Sequence, residues 1–302
     1  MTPDISAPDI VVSEFIDEAA LAGLAGYHVL YDPELHRDGA ALIARAGDAR
    51  GLIVRNQTQV RGALLERARR LKVIGRLGVG LDNIDLDACT RRGIAVCPAT
   101  GANADAVAEY VIATAMILLR GAYGATGAVA AGTWPREALA GREIAGTTLG
   151  LVGFGFAARA TMRRARALGM SVAAFDPHVD AGDPAWNDAK RKDLPALLAE
   201  SDVISLHVPL MAATRRMIDA AALARCRPGA VIINTARGGV LDEEALIAAL
   251  RAGRLGGAAL GARFAGIGNL ILTPHIAGVT RESNARVSAV TVANVRRVLE
   301  SQ

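Results

Sequence analysis

Aromatic residues are scarce in this chain: Phe, Tyr and Trp make up 4% of its 302 residues. Ala, Val, Leu and Ile must therefore fill the interior, which favours helices packed on a buried sheet. Cysteine is scarcer still. Cys89, Cys97 and Cys226 are odd in number and lack Cys-x-x-Cys spacing, so neither a disulfide framework nor a zinc site is indicated, no metal is expected, and the compartment expected is a reducing one. A long apolar run is also missing. The uncharged stretch Ile144 to Ala158 stops at 15 residues and contains Gly and Thr, short of the ~20 needed to cross a bilayer. The opening Met1-Thr2-Pro3-Asp4 has neither the basic segment nor the apolar stretch of a secretory signal, so a soluble, cytoplasmic protein without a membrane partner is expected.

What is present is globular in character. Hydrophobic residues reach 52% and charged residues 21%, too apolar for disorder, and the length suits two domains of about 150 residues. The net charge is +4, with cations that are mostly Arg scattered through helix-like stretches such as Arg163, Arg164 and Arg166. Scattered helix charges mark a solvated face, which excludes a nucleic-acid partner and leaves small anionic ligands as the better match.

Short β-branched runs alternate with helical stretches, the pattern of βα units around parallel sheets. Strands are expected at Ile10 to Val12, Leu52 to Arg55, Val73 to Gly75 and Ile94 to Cys97, then a long helix from Ala104 to Arg120. The Gly, Ala and Thr cluster from Gly121 to Gly132 reads as a connection between domains, with a second helix as the other reading. Further strands are expected at Leu149 to Val152, Val172 to Phe175, Val203 to Leu206, Val231 to Asn234 and Leu270 to Thr273. The last helix, Glu282 to Leu299, is long enough to cross back to the first half. Together these elements predict an α/β protein of two doubly wound parallel-sheet domains.

Thr147 to Val152 reads as a buried strand, and Gly153-Phe154-Gly155-Phe156-Ala157-Ala158 then opens a helix running to about Leu168. In this Gly-x-Gly-x-x-Ala pattern the first Gly permits a tight turn and the second lets backbone N–H groups approach a pyrophosphate. The small third residue lets helix pack closely on strand, and the helix N-terminus supplies positive potential. Asp176 stands at the end of the next strand, where a carboxylate accepts hydrogen bonds from ribose hydroxyls and repels a 2′-phosphate. A Rossmann domain binding NAD rather than NADP is expected.

Several ordered motifs carry a resemblance to the D-isomer-specific 2-hydroxyacid dehydrogenases, the group with phosphoglycerate and glycerate dehydrogenases. They begin with Gly75-Arg76-Leu77-Gly78-Val79-Gly80, Asp82-Asn83-Ile84-Asp85, Asn103, Val107-Ala108-Glu109 and Gly132-Thr133-Trp134. Gly146-Thr147-Thr148-Leu149-Gly150, His207-Val208-Pro209-Leu210, Asn234-Thr235-Ala236-Arg237-Gly238-Gly239 and Thr273-Pro274-His275-Ile276-Ala277-Gly278 follow in the family's order. The resemblance covers roughly residues 50 to 300.

The resemblance implies an oxidoreductase that transfers a hydride between NAD(H) and a small, anionic D-2-hydroxy or 2-keto acid. It implies a discontinuous, flavodoxin-like substrate domain (1–98 plus 282–302) around a Rossmann NAD-binding domain (99–281), and a homodimer held partly through Ala104 to Trp134. Hydride transfer needs a cation on the substrate carboxylate, and Arg237 suits it because a guanidinium pairs with a carboxylate in two hydrogen bonds. It also needs an acid for the forming alkoxide. His275 suits that, with an ordinary pKa near ~6.5. Val79 and Gly80 look like the backbone cradle of the substrate carboxylate. Arg55 and Arg76 add positive field, and Arg55 lies where relatives acting on phosphorylated acids place substrate contacts, which points to a second anionic group. Cofactor contacts are expected from Gly153, Gly155, Phe156, Ala157, Asp176, His207, Val208, Pro209, Thr214, Thr235, Ala236, Ala277 and Gly278. His28, His36 and His178 read as surface residues, and Cys97 as core or hinge lining.

The pattern breaks after Ala258-Ala259-Leu260. Family members continue with an Asp, a Val-Phe-type pair and a Glu, whereas this chain reads Gly261-Ala262-Arg263-Phe264-Ala265-Gly266-Ile267-Gly268-Asn269. With that acidic stretch go the carboxylate that pairs with the catalytic His and the Asp that holds the nicotinamide amide. Two readings stay open at this point: a dehydrogenase, impaired by the lost segment, and a non-catalytic NAD-binding sensor or corepressor-like protein of dehydrogenase descent.

Overall fold

The chain forms two compact units, residues 1–103 with 280–302 and residues 104–279, in a computed structural model that describes residues 7–261, 267 and 269–301. Nearly every strand is short and apolar on both faces, as expected where helices cover both sides of a parallel sheet.

The first unit contains β1 (Ile10–Val12), β2 (Val29–Tyr31), α1 (Gly39–Ala46), β3 (Gly51–Val54), α2 (Ala63–Arg67), β4 (Val73–Arg76), α3 (Leu86–Arg91) and β5 (Ala95–Pro98). Its five strands are all parallel in the order β2-β1-β3-β4-β5, the flavodoxin-like winding. The second unit runs through α4 (Ala104–Arg120), α5 (Thr126–Ala130), β6 (Thr148–Val152), α6 (Phe156–Ala167), β7 (Ser171–Phe175), β8 (Lys190–Arg191), α7 (Leu194–Glu200) and β9 (Val203–Leu206). It continues through α8 (Ala220–Arg225), β10 (Val231–Asn234), α9 (Glu243–Arg251), β11 (Gly257–Leu260) and β12 (Leu270–Leu272). Its seven parallel strands take the order β12-β11-β10-β9-β6-β7-β8. The winding reverses between β6 and β9, and at such a switch point the loops leaving the two strands part and open a crevice. α10 (Arg281–Glu300) then returns to the first unit.

Local chemistry explains the helix starts. Asp38, Asp85, Asp193, Asp219 and Asp242 each accept backbone N–H groups at the start of a helix, and Thr280 and Ser283 form a reciprocal capping box at α10. Val287, Thr291, Val292, Val295 and Leu299 form the buried face of α10. A Cβ on Gly75 of β4 would lie 2.5 Å from Val295 Cγ2 and 2.8 Å from Thr291 Cγ2, so that glycine is what lets helix and strand approach.

The expected connection at Gly121 to Gly132 takes its other form. It carries a 3-10 turn over Ala122–Ala125 and then α5, both inside the second unit, and the division between units falls after Asn103. Neither short element buries a residue, which is why no apolar periodicity marks them. Cys89, Cys97 and Cys226 are free thiols. Among the described residues no single helix is long and apolar enough to cross a membrane.

Candidate active site

β6 ends at Val152, and the chain turns through Gly153 with φ +92°. A side chain there would be strained and would also collide with the His207 carbonyl oxygen, 2.8 Å from the ideal Cβ position. Gly155 is different: nothing lies within 4 Å of its ideal Cβ, so the backbone is open to an approaching ligand. Gly155 is also the N-cap of α6 and offers no side-chain acceptor, which leaves the first N–H groups of a 12-residue helix for an outside anion. Ala158 is fully buried, and Ala157 packs with Ala104, Ala108 and Ala160 where α6 meets α4. Phe156 is exposed on the first turn. This cradle fits the pyrophosphate of a dinucleotide.

Asp176 directly follows β7, and its carboxylate is already ordered. One oxygen accepts from Phe154 N–H at 2.8 Å and the other from His178 N–H at 2.9 Å. An ionised carboxylate has about four acceptor positions, so capacity remains for ribose hydroxyls. The glycine turn and Asp176 are thus one hydrogen-bonded piece. A feature absent from the sequence reading braces it: Phe154 stacks on Trp186 at 4.6 Å, with Arg159 over the Phe154 ring and Arg191 over the Trp186 ring.

Across the switch point, His207 follows β9. Thr235 Oγ1 donates to the Leu206 carbonyl at 3.0 Å, so its contact with His207 Nδ1 at 3.4 Å places the ring proton on Nδ1. Nε2 then accepts from Ser205 Oγ at 2.9 Å. Burial pushes this imidazole down to about 4, so it is neutral at pH 7, which does not suit it to acid chemistry. Val208 lies against Gly153. Thr214 Oγ1 donates to the Pro209 carbonyl at 2.6 Å and accepts from Met211 N–H at 2.8 Å, tying off the loop after β9.

Arg237 and His275 meet in the second unit, with Arg237 Nη1 3.4 Å from His275 Nε2. A guanidinium only donates, so this contact is a hydrogen bond only while Nε2 keeps its lone pair. Ala236, just before Arg237, donates its N–H to Asn234 Oδ1, and Asn234 Nδ2 donates to the Arg237 carbonyl. The backbone of the arginine is thereby fixed at the end of β10. His275 has φ +50°, uncommon for a side chain with a Cβ, and such strain concentrates at functional positions. Ala277 and Gly278 follow it, half-buried. Asp242 caps α9 by accepting from Ala245 N–H, and Glu243 and Glu244 lie in the first turn of that helix. The altered segment after Leu260 falls largely on residues 262–266 and 268, outside the described residues.

The first unit holds the remaining candidates. Among the described residues the Val79 and Gly80 N–H groups make no hydrogen bond within the chain, which suits an anion cradle. Arg76, expected to add positive field, lies almost wholly inside the fold. It is 8% exposed, and its Nη1 donates to the Leu77 carbonyl at 2.6 Å beneath Gly78, so it braces the turn leading to Val79 and Gly80. Arg55 is half-buried, with Nη2 donating to Asn284 Oδ1 of α10 at 2.9 Å. Glu14, Asn83 and Asn284, which hold the Arg55 loop, were not singled out as site residues from sequence. Of the three, only Asn83 stood in a noted motif. His28 and His178 are exposed as expected. His36 is not a simple surface residue, because its Nδ1 lies 3.0 Å from the Pro33 carbonyl and its Nε2 is enclosed.

Comparison with known proteins agrees with this geometry. The NAD binding domain of the D-isomer specific 2-hydroxyacid dehydrogenases matches residues 112–277. The chain is 52% identical to the (S)-sulfolactate dehydrogenase of Chromohalobacter salexigens over 96% of this chain and 98% of that protein. It is 34% identical to the D-3-phosphoglycerate dehydrogenase of Archaeoglobus fulgidus over 95% of its own length, and spans 56% of that longer protein. The crystal structure of the TT0316 protein from Thermus thermophilus superposes with a TM-score of 0.86 at 33% identity, covering 97% of each chain. The chain belongs to the D-isomer specific 2-hydroxyacid dehydrogenases, NAD-dependent oxidoreductases acting on small 2-hydroxy acids.

Proposed function

We propose that the substrate is a D-configured 2-hydroxy acid with a second anionic group on C3, and that 3-sulfolactate, in equilibrium with 3-sulfopyruvate, is the preferred pair. The observation that carries this reading is Arg55, a half-buried guanidinium whose hydrogen bond goes to a neutral amide, while Glu14 acts on it through space and spends its oxygens on the loop backbone. Relatives named for sulfolactate and phosphoglycerate support it, since both acids carry an anion on C3. The (S) label is consistent with a D-specific family. Sulfur on C3 outranks the carboxylate oxygens, so the spatial arrangement called R in D-lactate is called S in sulfolactate.

In this reading Arg237 of the second unit pairs with the substrate carboxylate and polarises the adjacent C2 carbonyl, and the Val79 and Gly80 N–H groups are the anion cradle of the first unit. Bound NADH supplies the hydride that C2 receives. His275 Nε2 gives its proton to the C2 oxygen as the alkoxide forms, and takes it back in the oxidative direction. Pairing of Arg237 with substrate draws the guanidinium away from Nε2, which frees that nitrogen for the proton. Gly153, Gly155, Phe156 and Ala157 hold the pyrophosphate, and Asp176 holds the ribose and disfavours NADP. His207, Val208, Pro209, Thr214, Thr235, Ala236, Ala277 and Gly278 line the rest of the cofactor pocket.

The unit of residues 1–103 with 280–302 serves as the substrate domain and that of 104–279 as the NAD-binding domain, a division a few residues from the expected 1–98 with 282–302 and 99–281. A cytoplasmic homodimer fits Tyr123 and Trp134, which are 67% and 79% exposed just beyond α4. NAD reduction measured on lactate, glycerate, 3-phosphoglycerate and 3-sulfolactate tests the substrate. The highest kcat/KM is expected for 3-sulfolactate; a higher value for any other member rejects the choice of sulfonate.

A further inference from the structure

Glu14 is a charged residue, 2% exposed, that the mechanism above does not use. It follows β1, and its two carboxylate oxygens accept four consecutive backbone N–H groups of the loop after β3. Oε1 takes Arg55 at 2.8 Å and Thr58 at 2.9 Å, while Oε2 takes Asn56 at 3.2 Å and Gln57 at 3.0 Å. Those bonds use the carboxylate's full acceptor capacity of about four, so Glu14 has no acceptor position left for a ligand; its charge also favours the nearby Arg55 cation through space. Burial alone would push its pKa up. The N–H groups of Thr58, Gln57 and Arg55 outweigh that and hold it below the ordinary glutamate value.

The same loop is held from three further sides. Asn83 Nδ2 donates to the carbonyls of Arg55 at 3.1 Å and Thr58 at 2.7 Å. Ser13 Oγ and Thr58 Oγ1 lie 2.9 Å apart. Asn284 accepts from the Arg55 guanidinium, which also lies over the Phe15 ring at 5.7 Å. Asn83 belongs to the turn that follows Val79 and Gly80, so one side chain joins the Arg55 loop to the carboxylate cradle. A loop whose four consecutive N–H groups and two of whose carbonyls are bound by side chains is held in one conformation, and a pre-ordered cation binds an anion without first losing its own freedom.

We propose that Glu14, together with Asn83 and Asn284, is a positioning device that fixes Arg55 relative to the Val79–Gly80 cradle and so makes Arg55 the specificity contact for an anion on C3. This inference rests on the substrate reading above. Glu14 and Asn284 are positioning residues: they touch the loop and the guanidinium, never the reacting atoms.

The test is the ratio of kcat/KM for 3-sulfopyruvate to kcat/KM for pyruvate, with NADH, in wild type, Glu14→Gln and Asn284→Ala. Glu14→Gln puts an NH2 against two N–H donors, and Asn284→Ala releases the guanidinium. The ratio is expected to fall at least tenfold in each variant, with the loss in KM for 3-sulfopyruvate. A wild-type preference that survives in both variants, or an equal loss on both substrates, overturns the positioning role while leaving the substrate reading intact. No preference for 3-sulfopyruvate in the wild type overturns both. Should Glu14→Gln fail to fold, Asn284→Ala, on the half-buried face of α10, decides the matter alone.

Discussion

Arg237 is fixed through its backbone by Asn234 and presents its guanidinium to His275, so truncating its side chain leaves these backbone bonds in place while deleting the proposed partner of the substrate carboxylate. Arg237→Ala is expected to abolish keto-acid reduction and to leave NADH binding, followed by fluorescence titration, within a few-fold of wild type. Loss of a charged partner of this kind costs roughly 2–5 kcal/mol. Unchanged turnover would remove Arg237 from the mechanism. His207 makes a different prediction. Its imidazole, held down to about 4 in the fold, has an ordinary value of 6.5 once unfolded, so the unfolded chain binds more protons between those limits. Stability must therefore be lost as pH falls from 6.5 toward 4, by about 2 kcal/mol from this residue between pH 7 and pH 5. Urea unfolding at the two pH values, in wild type and His207→Gln, checks it: the variant should lose less stability on acidification. These candidates were legible in sequence because each residue sits in a short motif. Glu14 and Asn284 were not, since their partners lie 41 to 44 and 229 positions away and no local spacing announces such pairings.

Elements with strong apolar character matched their sequence reading closely. α4 spans Ala104 to Arg120 and β9 spans Val203 to Leu206, as expected, because their apolar positions lie on buried faces. β2 and β8 were not expected. β2 is a half-buried run of only three residues, Val29-Leu30-Tyr31, and β8 is two exposed cations; both are short edge strands that leave little periodic signal. At the scale of paired elements, the approach of α10 to β4 depends on Gly75. Gly75→Ala would force a methyl against Val295 and Thr291, and overpacking of this kind costs about 1–3 kcal/mol. A drop of that size in the urea midpoint with the slope unchanged is expected; no drop would show that α10 has room to move.

For the molecule as a whole, alternating βα patterns and the glycine turn were enough to forecast two parallel-sheet units, and the observed windings place β6 and β9 side by side, so that Gly153 and His207 touch. The sequence does not show where the anion contacts stand relative to one another, because that depends on loops joined through Glu14 and Asn83. Together these parts are proposed to make an NAD-dependent dehydrogenase for a D-configured acid with an anion on C3. The enantiomers of 3-sulfolactate, compared by kcat/KM with NAD, check this. Oxidation of the (S) form is expected to exceed that of the (R) form by at least a hundredfold; comparable rates for both, faster oxidation of the (R) form, or oxidation of neither would overturn the reading.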